Sequence, residues 1–279
     1  MYQIWTPVKF GRNLIQSGDL DPVYIALLNS GFDRPTLCRF QIAYWCYYHC
    51  GVACHMASLE GYDFWEEMRK AAVNEKPNPL GERWNRGAER RHFRGKAGVA
   101  AIDELASRYG HKPEDMVEDL ISNAKPFHRF FQVAQSTKLF GPWIAFKIGD
   151  MLERIMSAPV NFDEGAIFMF KDPVKGAGMV SRWIDAGEPT EIHKNQFVAG
   201  TDGKREIDHS LKYFLKEFAH IKAPPRNERR VGLQEIETIF CKWKSHVKGG
   251  YPVGKDSREI KEGLEGWGPL ADQFKAAMP

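Results

Sequence analysis

The chain has 279 residues, of which 43% are hydrophobic and 27% are charged, and this balance excludes a disordered or fibrous protein. Its length suits one large domain with a sizeable buried core. Lysine and arginine number 39 against 36 acidic residues, so a formal charge of +3 does not by itself require a nucleic-acid partner.

The N-terminal segment MYQIWTPVKF lacks the apolar run of a secretory signal, and the most apolar window, residues 42–57, is shorter than a membrane span. Four of the five cysteines lie in or near this window without the spacing of metal ligands, which indicates buried thiols in a reducing cytosol. We therefore expect a soluble cytoplasmic protein with no membrane partner, no metal and no cofactor.

Helical periodicity dominates the chain, with proline or capping residues at many helix starts. Helices are predicted at residues 22–30, 35–60, 62–74, 96–109, 113–123, 126–138, 142–156, 204–221, 231–248 and 257–266. One strand is predicted at residues 166–170, and the glycine-rich segment 173–203 is predicted to be a loop with a short helix. Because strands and helices do not alternate, the fold class is mostly α.

We expect a single domain over residues 1–279. Within it, residues 1–33 form an N-terminal arm and residues 34–203 form the core. The basic helices of residues 204–279 form a C-terminal extension.

Two glycine-rich segments resemble nucleotide-binding loops without meeting their requirements. Residues 249–256 (GGYPVGKD) match G-x-x-x-x-G-K, but a helix precedes them, Pro252 has no amide donor and Asp256 has no hydroxyl. Residues 176–181 (GAGMVS) lack the third glycine of the dinucleotide fingerprint. Neither segment predicts a nucleotide site, although Lys255 remains available to an anion.

The strongest charge cluster is RWNRGAERRHFRGK at residues 83–96, which holds six basic residues and one acid. Its arginines at offsets of three and four residues would line one face of a helix; they are Arg83, Arg86, Arg90 and Arg94. Arginine forks suit phosphate oxygens, so this segment favours phosphate binding. The alternative is a solvated helix face whose arginines pair with Glu82 and Glu89.

A second basic segment near the C-terminus, CKWKSHVK at residues 241–248, contributes Lys242 and Lys244, and Lys255 follows it. Such a group suits a nucleic-acid backbone, although exposed basic helices are common in proteins without that function.

Polar and aromatic residues recur on one face of the predicted helix at residues 35–60. They are Gln41, Tyr44, Tyr48 and His55. Such a stripe can line a pocket for a planar base, with rings that stack and an amide that reads the base edge. The alternative is a core helix whose polar groups are satisfied locally.

The segment LFGPWIAFKIGDMLER at residues 139–154 predicts two helices joined by a turn at Gly141, whose amides can hold a phosphate. With the turn APVNFDEG that follows, it resembles the helix-hairpin-helix DNA glycosylase superfamily. Trp143 stands where bifunctional members have a lysine. Asn161 stands at the position of the catalytic aspartate, and Asp163 lies two residues further on.

A narrower resemblance covers residues 34–258. The segments CRFQIAYWCYYHCGVACHMASLEG, RGAERRHFRG, FGPWIAFKIGDMLER and CKWKSHVKGGYPVGKD occur in this order. They resemble the phage alpha-glutamyl/putrescinyl thymine pyrophosphorylases, which are amino acid:DNA transferases of the glycosylase fold. The resemblance implies double-stranded DNA with a pyrophosphorylated 5-hydroxymethyluracil as substrate, and a free amino acid or polyamine that replaces the pyrophosphate. Direct displacement and elimination followed by addition give the same product.

The resemblance and the residue types together assign roles by region. The base pocket would comprise Gln41, Tyr44, Tyr48, His55 and Trp84, and the pyrophosphate site Arg90, Arg91, Arg94 and Lys147. The base that takes the amine proton would be Asp163, Asp150 or His92. The DNA backbone would contact Gly141, Arg83, Arg86, Lys242, Lys244 and Lys255. Lys147, Asp150 and Arg154 lie at offsets of three and four residues, so an internal ion-pair row is the alternative for them.

Several points stay open at the level of sequence. Glycine is the favoured donor, with putrescine and glutamate as alternatives, and the expected form is a monomer in the host cytoplasm during phage infection. Two other functions compete: a DNA glycosylase that excises a modified pyrimidine, and a helix-hairpin-helix module that binds DNA without catalysis. An enzyme for free nucleotides fits less well, because the basic residues extend beyond one phosphate group.

Overall fold

The computed structural model describes residues 3–74, 76–164, 170–198 and 203–279. These ranges contain 14 α-helices and two 3₁₀ turns but no sheet, with one isolated antiparallel bridge between Lys222 and Arg230. The predicted mostly α fold class is therefore confirmed. The predicted strand at residues 166–170 lies, apart from its last residue, outside the described residues.

The helices follow one another with mostly short connections. They are α1 (Pro7–Gln16), α2 (Pro22–Asn29), α3 (Arg34–Tyr47), α4 (Cys50–Ala57), α5 (Gly61–Val73), α6 (Gly95–Tyr109), α7 (Asp115–Ser122), α8 (Phe127–Gln135), α9 (Pro142–Met156), α10 (Lys171–Asp185), α11 (Lys204–Glu217), α12 (Leu233–Val247), α13 (Lys255–Gly263) and α14 (Pro269–Ala276). The 3₁₀ turns are Ala88–Arg90 and Phe162–Glu164. Within the described residues, every helix is too short or too polar to cross a membrane.

Local sequence signals explain where several helices begin and end. The Asp33 carboxylate accepts the Thr36 amide at 2.9 Å and caps the start of α3. Pro142 occupies the first turn of α9, where its missing amide costs no hydrogen bond. At the end of α5, Asn74 adopts the left-handed conformation with φ of 59°. Asp33 and Pro142 are among the signals from which the helix starts are predicted.

The single long helix predicted at residues 35–60 is wrong. Tyr48 takes a left-handed conformation with φ of 52° and ends α3. The extended backbone of His49 then starts α4, and its Nδ1 atom accepts the Val52 amide at 3.2 Å. A tyrosine seldom adopts this backbone conformation, so sequence patterning carries no sign of the break.

The segment at residues 173–203 is predicted to be a loop with a short helix, and the structure has a longer helix there, because α10 runs from Lys171 to Asp185. A β-carbon at Gly176 would lie 2.1 Å from the carbonyl oxygen of Phe240 on α12. Glycine is therefore required for the close approach of two helices, rather than for a turn.

The chain forms two compact units. The smaller unit comprises residues 1–22, 165–258 and 279, and its core gathers apolar side chains from α1, α10, α11 and α12. Phe240 and Trp243 on α12 are fully buried there with Phe214 of α11. The indole Nε1 of Trp243 donates to the carbonyl oxygen of Trp5, which satisfies its polar group.

The larger unit comprises residues 23–164 and 259–278 and contains the predicted hairpin. Trp45 of α3 is fully buried, and its Nε1 atom lies 3.2 Å from the sulfur of Met151 on α9. A β-carbon at Gly149 of α9 would lie 2.8 Å from the ring of Phe130 on α8. These contacts fix the hairpin helices against each other and against α3.

Candidate active site and DNA interface

The junction of α3 and α4 is the centre of the candidate site in the larger unit. The ring of Tyr48 meets the ring of Trp143 edge to face, with centroids 5.1 Å apart. Trp143 is the second residue of α9, so this contact joins the α3–α4 junction to the first turn of the second hairpin helix. Burial lowers the pKa of neighbouring His49 to about 4, which keeps its ring neutral as an amide acceptor near neutral pH.

Two of the predicted base-pocket residues, Tyr44 and Tyr48, lie together at this junction, and a third, Gln41, lies earlier on α3. The rings of Tyr44 and Tyr48 are 4.6 Å apart, and burial together with Tyr48 raises the pKa of Tyr44. Gln41 is fully buried, and its Nε2 atom donates to the carbonyl oxygen of Leu37. Its Oε1 atom is buried without a hydrogen-bond partner among the described residues. An amide oxygen in that state retains an unused capacity to accept a hydrogen bond.

The other two base-pocket residues, His55 and Trp84, form a second aromatic group with Trp267. The ring centroids of His55 and Trp84 lie 5.7 Å apart, and those of Trp84 and Trp267 lie 6.2 Å apart. The Nε1 atom of Trp84 is buried with no acceptor in the described part of the chain. The sequence does not predict the role of Trp267, because no pattern near the C-terminus connects it to His55 or Trp84, which lie far earlier in the chain.

The helical face predicted for the arginine cluster at residues 83–96 is wrong. Only the 3₁₀ turn Ala88–Arg90 is helical before α6 begins at Gly95. The amide of Gly87 donates to the carbonyl oxygen of Tyr47 at 2.8 Å and holds this segment against the end of α3. The arginines of this segment therefore do not share one helical face, and they differ in burial and in hydrogen-bond partners.

Arg90 lies in the protein interior, with only 2% of its surface exposed. Its Nε atom donates to the carbonyl oxygen of Cys46 at 3.2 Å, and its Nη1 atom donates to that of Leu139 at 3.0 Å. The guanidinium also lies over the rings of Phe93 and Phe140. Arg90 thus ties the end of α3 to the hairpin turn.

Arg86 is also engaged within the larger unit. Its Nη1 atom donates to the carbonyl oxygen of Phe93 at 2.9 Å, and its Nη2 atom donates to that of Ala71 at 3.0 Å. Burial lowers the pKa of the Arg86 guanidinium. Arg83, by contrast, is exposed.

Arg91 and Arg94 are the exposed arginines around His92. Among the residues that the structure describes, the Arg91 guanidinium donates only to the carbonyl oxygen of Ala88 in its own turn. In the described part of the chain, Arg94 makes no side-chain hydrogen bond, and neither arginine has a carboxylate partner. Partial burial and the charges of Arg90 and Arg91 lower the pKa of His92. The lowered pKa favours the neutral imidazole of His92, which in the sequence lies between these two arginines.

The hairpin turn itself is exposed at Gly141, the N-cap of α9, where a β-carbon would meet nothing within 4 Å. Leu139, just before it, has a positive φ of 66°. Since Pro142 has no amide hydrogen, the amides of Trp143 and Ile144 are the donors left over in the first turn of α9. A phosphate oxygen is the kind of acceptor that such a turn binds.

The internal ion cluster that was the alternative for residues 147–154 is present in the structure. Asp150 is fully buried; its Oδ2 atom accepts the hydroxyl of Tyr24 at 2.8 Å and lies 3.9 Å from the Lys147 Nζ. The Nη1 atom of Arg154 lies 3.5 Å from Oδ1 of the same carboxylate. Sequence reasoning missed Tyr24, which is 126 residues from Asp150.

Asp163 lies in the 3₁₀ turn after the hairpin and is exposed. Its amide donates to the Oδ1 atom of Asn161 at 3.0 Å. The preceding Phe162 ring packs within 5.3 Å of both Phe127 and Phe146 and so anchors the turn. The carboxylate of Asp163 thus stands on a fixed turn at the protein surface.

The predicted DNA contacts of the C-terminal region are engaged inside the smaller unit. Lys242 donates to the carbonyl oxygens of Asp19 and Leu20, and Lys244 lies 2.7 Å from Asp172. Lys255 donates to the carbonyl oxygen of Gly250 at 3.1 Å. Their contact with DNA stays a prediction, and it would require these ammonium groups to exchange partners.

The loop that resembles a phosphate-binding loop surrounds an anion of the protein itself. Buried Asp19 accepts from the Tyr251 hydroxyl and the Gly254 amide through Oδ2. Its Oδ1 atom accepts from both the amide and the hydroxyl of Ser257. The loop therefore satisfies a carboxylate where a nucleotide loop would bind phosphate.

Comparison with known proteins identifies the family of the chain. Residues 2–251 match the family described as amino acid:DNA transferase. A glycinyltransferase of Pseudomonas phage PaMx11 is 38% identical over 278 residues, covering 97% of this chain and 95% of that protein. A putrescinyltransferase of Delftia phage PhiW-14 is 26% identical over 275 residues, covering 98% and 82% respectively.

The family match and these relatives define the class as a DNA-modifying transferase. The chain belongs to the amino acid:DNA transferase family, as the sequence segments predicted. The predicted function, transfer of an amino acid or polyamine to phage DNA in thymidine hypermodification, is confirmed at the level of this family. Its substrates are accordingly DNA and an amine donor.

Proposed function

We propose that the protein replaces the pyrophosphate of 5-(pyrophosphoryloxymethyl)uracil in double-stranded DNA by the amine of a free donor. A bond forms between the donor nitrogen and the 5-methylene carbon. The bond between that carbon and the pyrophosphate oxygen breaks, and its electron pair leaves with the pyrophosphate. The observation that carries this proposal is the exposed pair Arg91 and Arg94, neither of which has a carboxylate partner among the described residues.

The departing pyrophosphate gains negative charge as its bond breaks, and fixed cations stabilise that charge best. Arg91 and Arg94 present their guanidiniums at the surface, so they bind the pyrophosphate directly. Arg90, which we predict for the same site, holds the turn through its bonds to backbone carbonyls. Lys147 is buried beside Asp150 and supports the site from the protein interior.

A base in a duplex cannot offer its 5-methylene to a second substrate while it is stacked, so the modified base leaves the stack. Two buried polar atoms that lack a hydrogen-bond partner among the described residues, Oε1 of Gln41 and Nε1 of Trp84, support a pocket that reads a base edge. Tyr44, Tyr48 and His55 supply rings on which the base stacks. The acceptor of Gln41 suits the imide N–H of uracil, and the donor of Trp84 suits a uracil carbonyl.

The ammonium group of the donor must lose a proton before its nitrogen can attack. His92 suits this task because its lowered pKa leaves the imidazole unprotonated near neutral pH. Asp163 is the exposed carboxylate alternative. Asp150 is fully buried and bonded to Tyr24, so it supports the hairpin helix and does not reach the substrates.

The DNA backbone contacts the hairpin turn through the amides that follow Gly141, as in helix-hairpin-helix glycosylases. Exposed Arg83 contacts a neighbouring phosphate, and Arg86 supports the arginine turn from inside. Lys242, Lys244 and Lys255 contribute to the long-range attraction of DNA. The protein works as a monomer in the cytoplasm of the infected host cell.

Glycine is the donor we propose, because the relative of 38% identity is a glycinyltransferase. The putrescinyltransferase relative makes a polyamine the second donor to test.

Mass spectrometry of nucleosides tests the whole proposal. The protein is incubated with pyrophosphorylated DNA and a mixture of glycine, glutamate and putrescine, and DNA with plain 5-hydroxymethyluracil serves as the control. A glycine adduct of thymidine, formed only on the pyrophosphorylated DNA, is expected. Release of a free modified base would instead establish a glycosylase. Unchanged DNA that still binds the protein would establish a binding module.

A further inference from the structure

Four lysine or arginine side chains are buried in the described part of the chain, and three of them have a carboxylate partner. Those three are Arg39 with Glu114, and Lys147 and Arg154 with Asp150. Arg90 is the fourth, and among the described residues it forms no ion pair. Burial of a charge costs free energy unless an opposite charge compensates it. Arg90 is therefore a buried cation whose counter-ion is not supplied by the residues that the structure describes.

The contacts of Arg90 leave one of its nitrogen atoms unused. Its Nε and Nη1 atoms donate to the carbonyl oxygens of Cys46 and Leu139, whereas Nη2 is buried with no hydrogen-bond partner in the described ranges. The guanidinium carbon lies 4.9 Å from the ring centroid of Phe93 and 5.3 Å from that of Phe140. Two carbonyl dipoles and two rings stabilise the charge in part, but they do not neutralise it.

Positive charge accumulates around the turn that holds Arg90. Arg91 follows it directly, and partial burial together with the charges of Arg90 and Arg91 lowers the pKa of His92. Arg91 and Arg94 have no carboxylate partner in the part of the chain that is described, and Glu89 of the same turn pairs with neither of them there. Like charges at neighbouring positions repel one another, so an anion with more than one negative charge stabilises this arrangement.

We propose that the pyrophosphate group of the substrate supplies the counter-charge of Arg90, so that this buried guanidinium belongs to the pyrophosphate site as well as to the scaffold. A charge in the protein interior is screened less by water and salt than a charge at the surface. Arg90 therefore attracts an anion bound at Arg91 without touching it, and it is a positioning residue. This inference rests on the proposed function, since it names a further group that selects one of its two substrates.

The consequence is selection of the modified base by charge. Pyrophosphate carries more negative charge than a monophosphate, and a free hydroxymethyl group carries none, so Arg90 favours the pyrophosphorylated base over both. A phosphate of the DNA backbone is the other source of the same chemistry. We assign the counter-charge to the pyrophosphate because Arg90 and Arg91 are adjacent in one turn, and the test separates the two sources.

The test measures the binding of inorganic pyrophosphate by isothermal titration calorimetry, with sulfate at equal ionic strength as the reference anion. Arg90→Gln removes the charge and leaves an amide donor, and it is expected to weaken pyrophosphate binding about tenfold or more. Arg90→Lys keeps the charge and loses the planar fork, and its affinity is expected to stay within about threefold of wild type.

Arg86→Gln is the matched control, because Arg86 also donates to two backbone carbonyl oxygens but is only half-buried. It is expected to lower stability while it changes the affinity for pyrophosphate by less than about threefold, since solvent screens its charge. Circular dichroism at the titration temperature checks that each variant is folded.

The wild-type protein gives an independent measurement that does not depend on the folding of any variant. Its preference for pyrophosphate over sulfate is expected to persist at high salt, because a buried charge is screened little, whereas a site made only of exposed arginines would lose the preference. Loss of the preference at high salt would contradict the role of Arg90.

Two results with the variants would also overturn the inference. One is unchanged pyrophosphate affinity in Arg90→Gln, and the other is an equal loss in Arg90→Gln and Arg90→Lys, which would leave Arg90 a purely structural role. An unmodified DNA duplex is titrated into the same variants, and weaker binding of the duplex alone would assign the counter-charge to a backbone phosphate instead. Absence of any nucleoside adduct with the wild-type protein would overturn the proposed function.

Discussion

The Nη1 atom of Arg90 donates a hydrogen bond of 3.0 Å to the carbonyl oxygen of Leu139. This bond connects the arginine-rich turn to the hairpin turn, since Leu139 directly precedes Phe140 and the Gly141 cap of α9. Arg91 directly follows this turn and Arg94 is the N-cap residue of α6, so the position of both arginines relative to the hairpin amides depends on Arg90. Two parts of the proposed site, one for pyrophosphate and one for the DNA backbone, therefore share one buried guanidinium.

Arg90→Met is expected to lower the free energy of unfolding by about 3 kcal/mol, because it removes two charge-assisted hydrogen bonds to buried carbonyls. Urea unfolding measures this effect. Arg91→Met is the matched control and is expected to change stability by only about 0.5 kcal/mol, because Arg91 is exposed. Equal stability of the two variants would contradict the structural role of Arg90.

Ionisation of His49 makes the stability of the larger unit depend on pH. Its pKa falls from 6.5 to about 4 on folding, because burial disfavours the charged ring. The unfolded chain therefore binds more protons between these values, and stability is lost as the pH falls through this window. Protonation also removes the acceptor that caps α4 at the Val52 amide.

His49→Asn isolates this effect, since asparagine caps a helix without titrating. Unfolding free energies measured from pH 7 downwards are expected to fall less steeply in this variant than in wild type. Parallel curves would mean that His49 ionises normally in the folded protein.

Part of this architecture is readable from the sequence, because local signals carry it. Asp33 predicts the start of α3 and Pro142 that of α9, since both act through their own backbone neighbourhoods. The break occurs at Tyr48, whose ring contacts Trp143, a residue distant in the chain. The spacing of residues within one segment does not predict contacts between segments that are distant in the chain.

The candidate site is likewise predictable from the sequence only in part. The composition of segment 83–96 predicts an anion site, but the spacing does not distinguish buried Arg90 from exposed Arg91. That difference arises from Phe93 and Phe140, whose rings enclose one guanidinium. Pairings such as Tyr24 with Asp150 likewise form only in the folded chain.

Asp19→Asn is expected to destabilise the smaller unit by about 2–4 kcal/mol. The carboxylate accepts four hydrogen bonds in a buried site. In the asparagine variant, an NH₂ group replaces one carboxylate oxygen and cannot accept the hydrogen bonds that this oxygen receives. Thermal unfolding monitored by calorimetry measures the loss. Asp208→Asn, at an exposed position of α11, serves as the control and is expected to behave like wild type.

The contacts of Asp19 also lead to a prediction about nucleotide binding. Because Asp19 already satisfies the amides of the loop, ATP and GTP are expected to leave the thermal stability of the protein unchanged. A rise in melting temperature that saturates with nucleotide and disappears in Asp19→Asn would contradict this assignment.

Arg91→Ala and Arg94→Ala are expected to reduce turnover about 100-fold each while DNA affinity changes little, since their charges act mainly on the departing pyrophosphate. Single-turnover rates on pyrophosphorylated DNA and binding to unmodified DNA at the same salt concentration measure the two effects separately. Lys138→Ala is the control, because Lys138 is an exposed cation near the hairpin that has no place in the proposed chemistry. It is expected to weaken binding slightly and to leave the rate unchanged. If turnover and affinity fell together in the arginine variants, these residues would be anchors for the DNA backbone, and the pyrophosphate would require other cations.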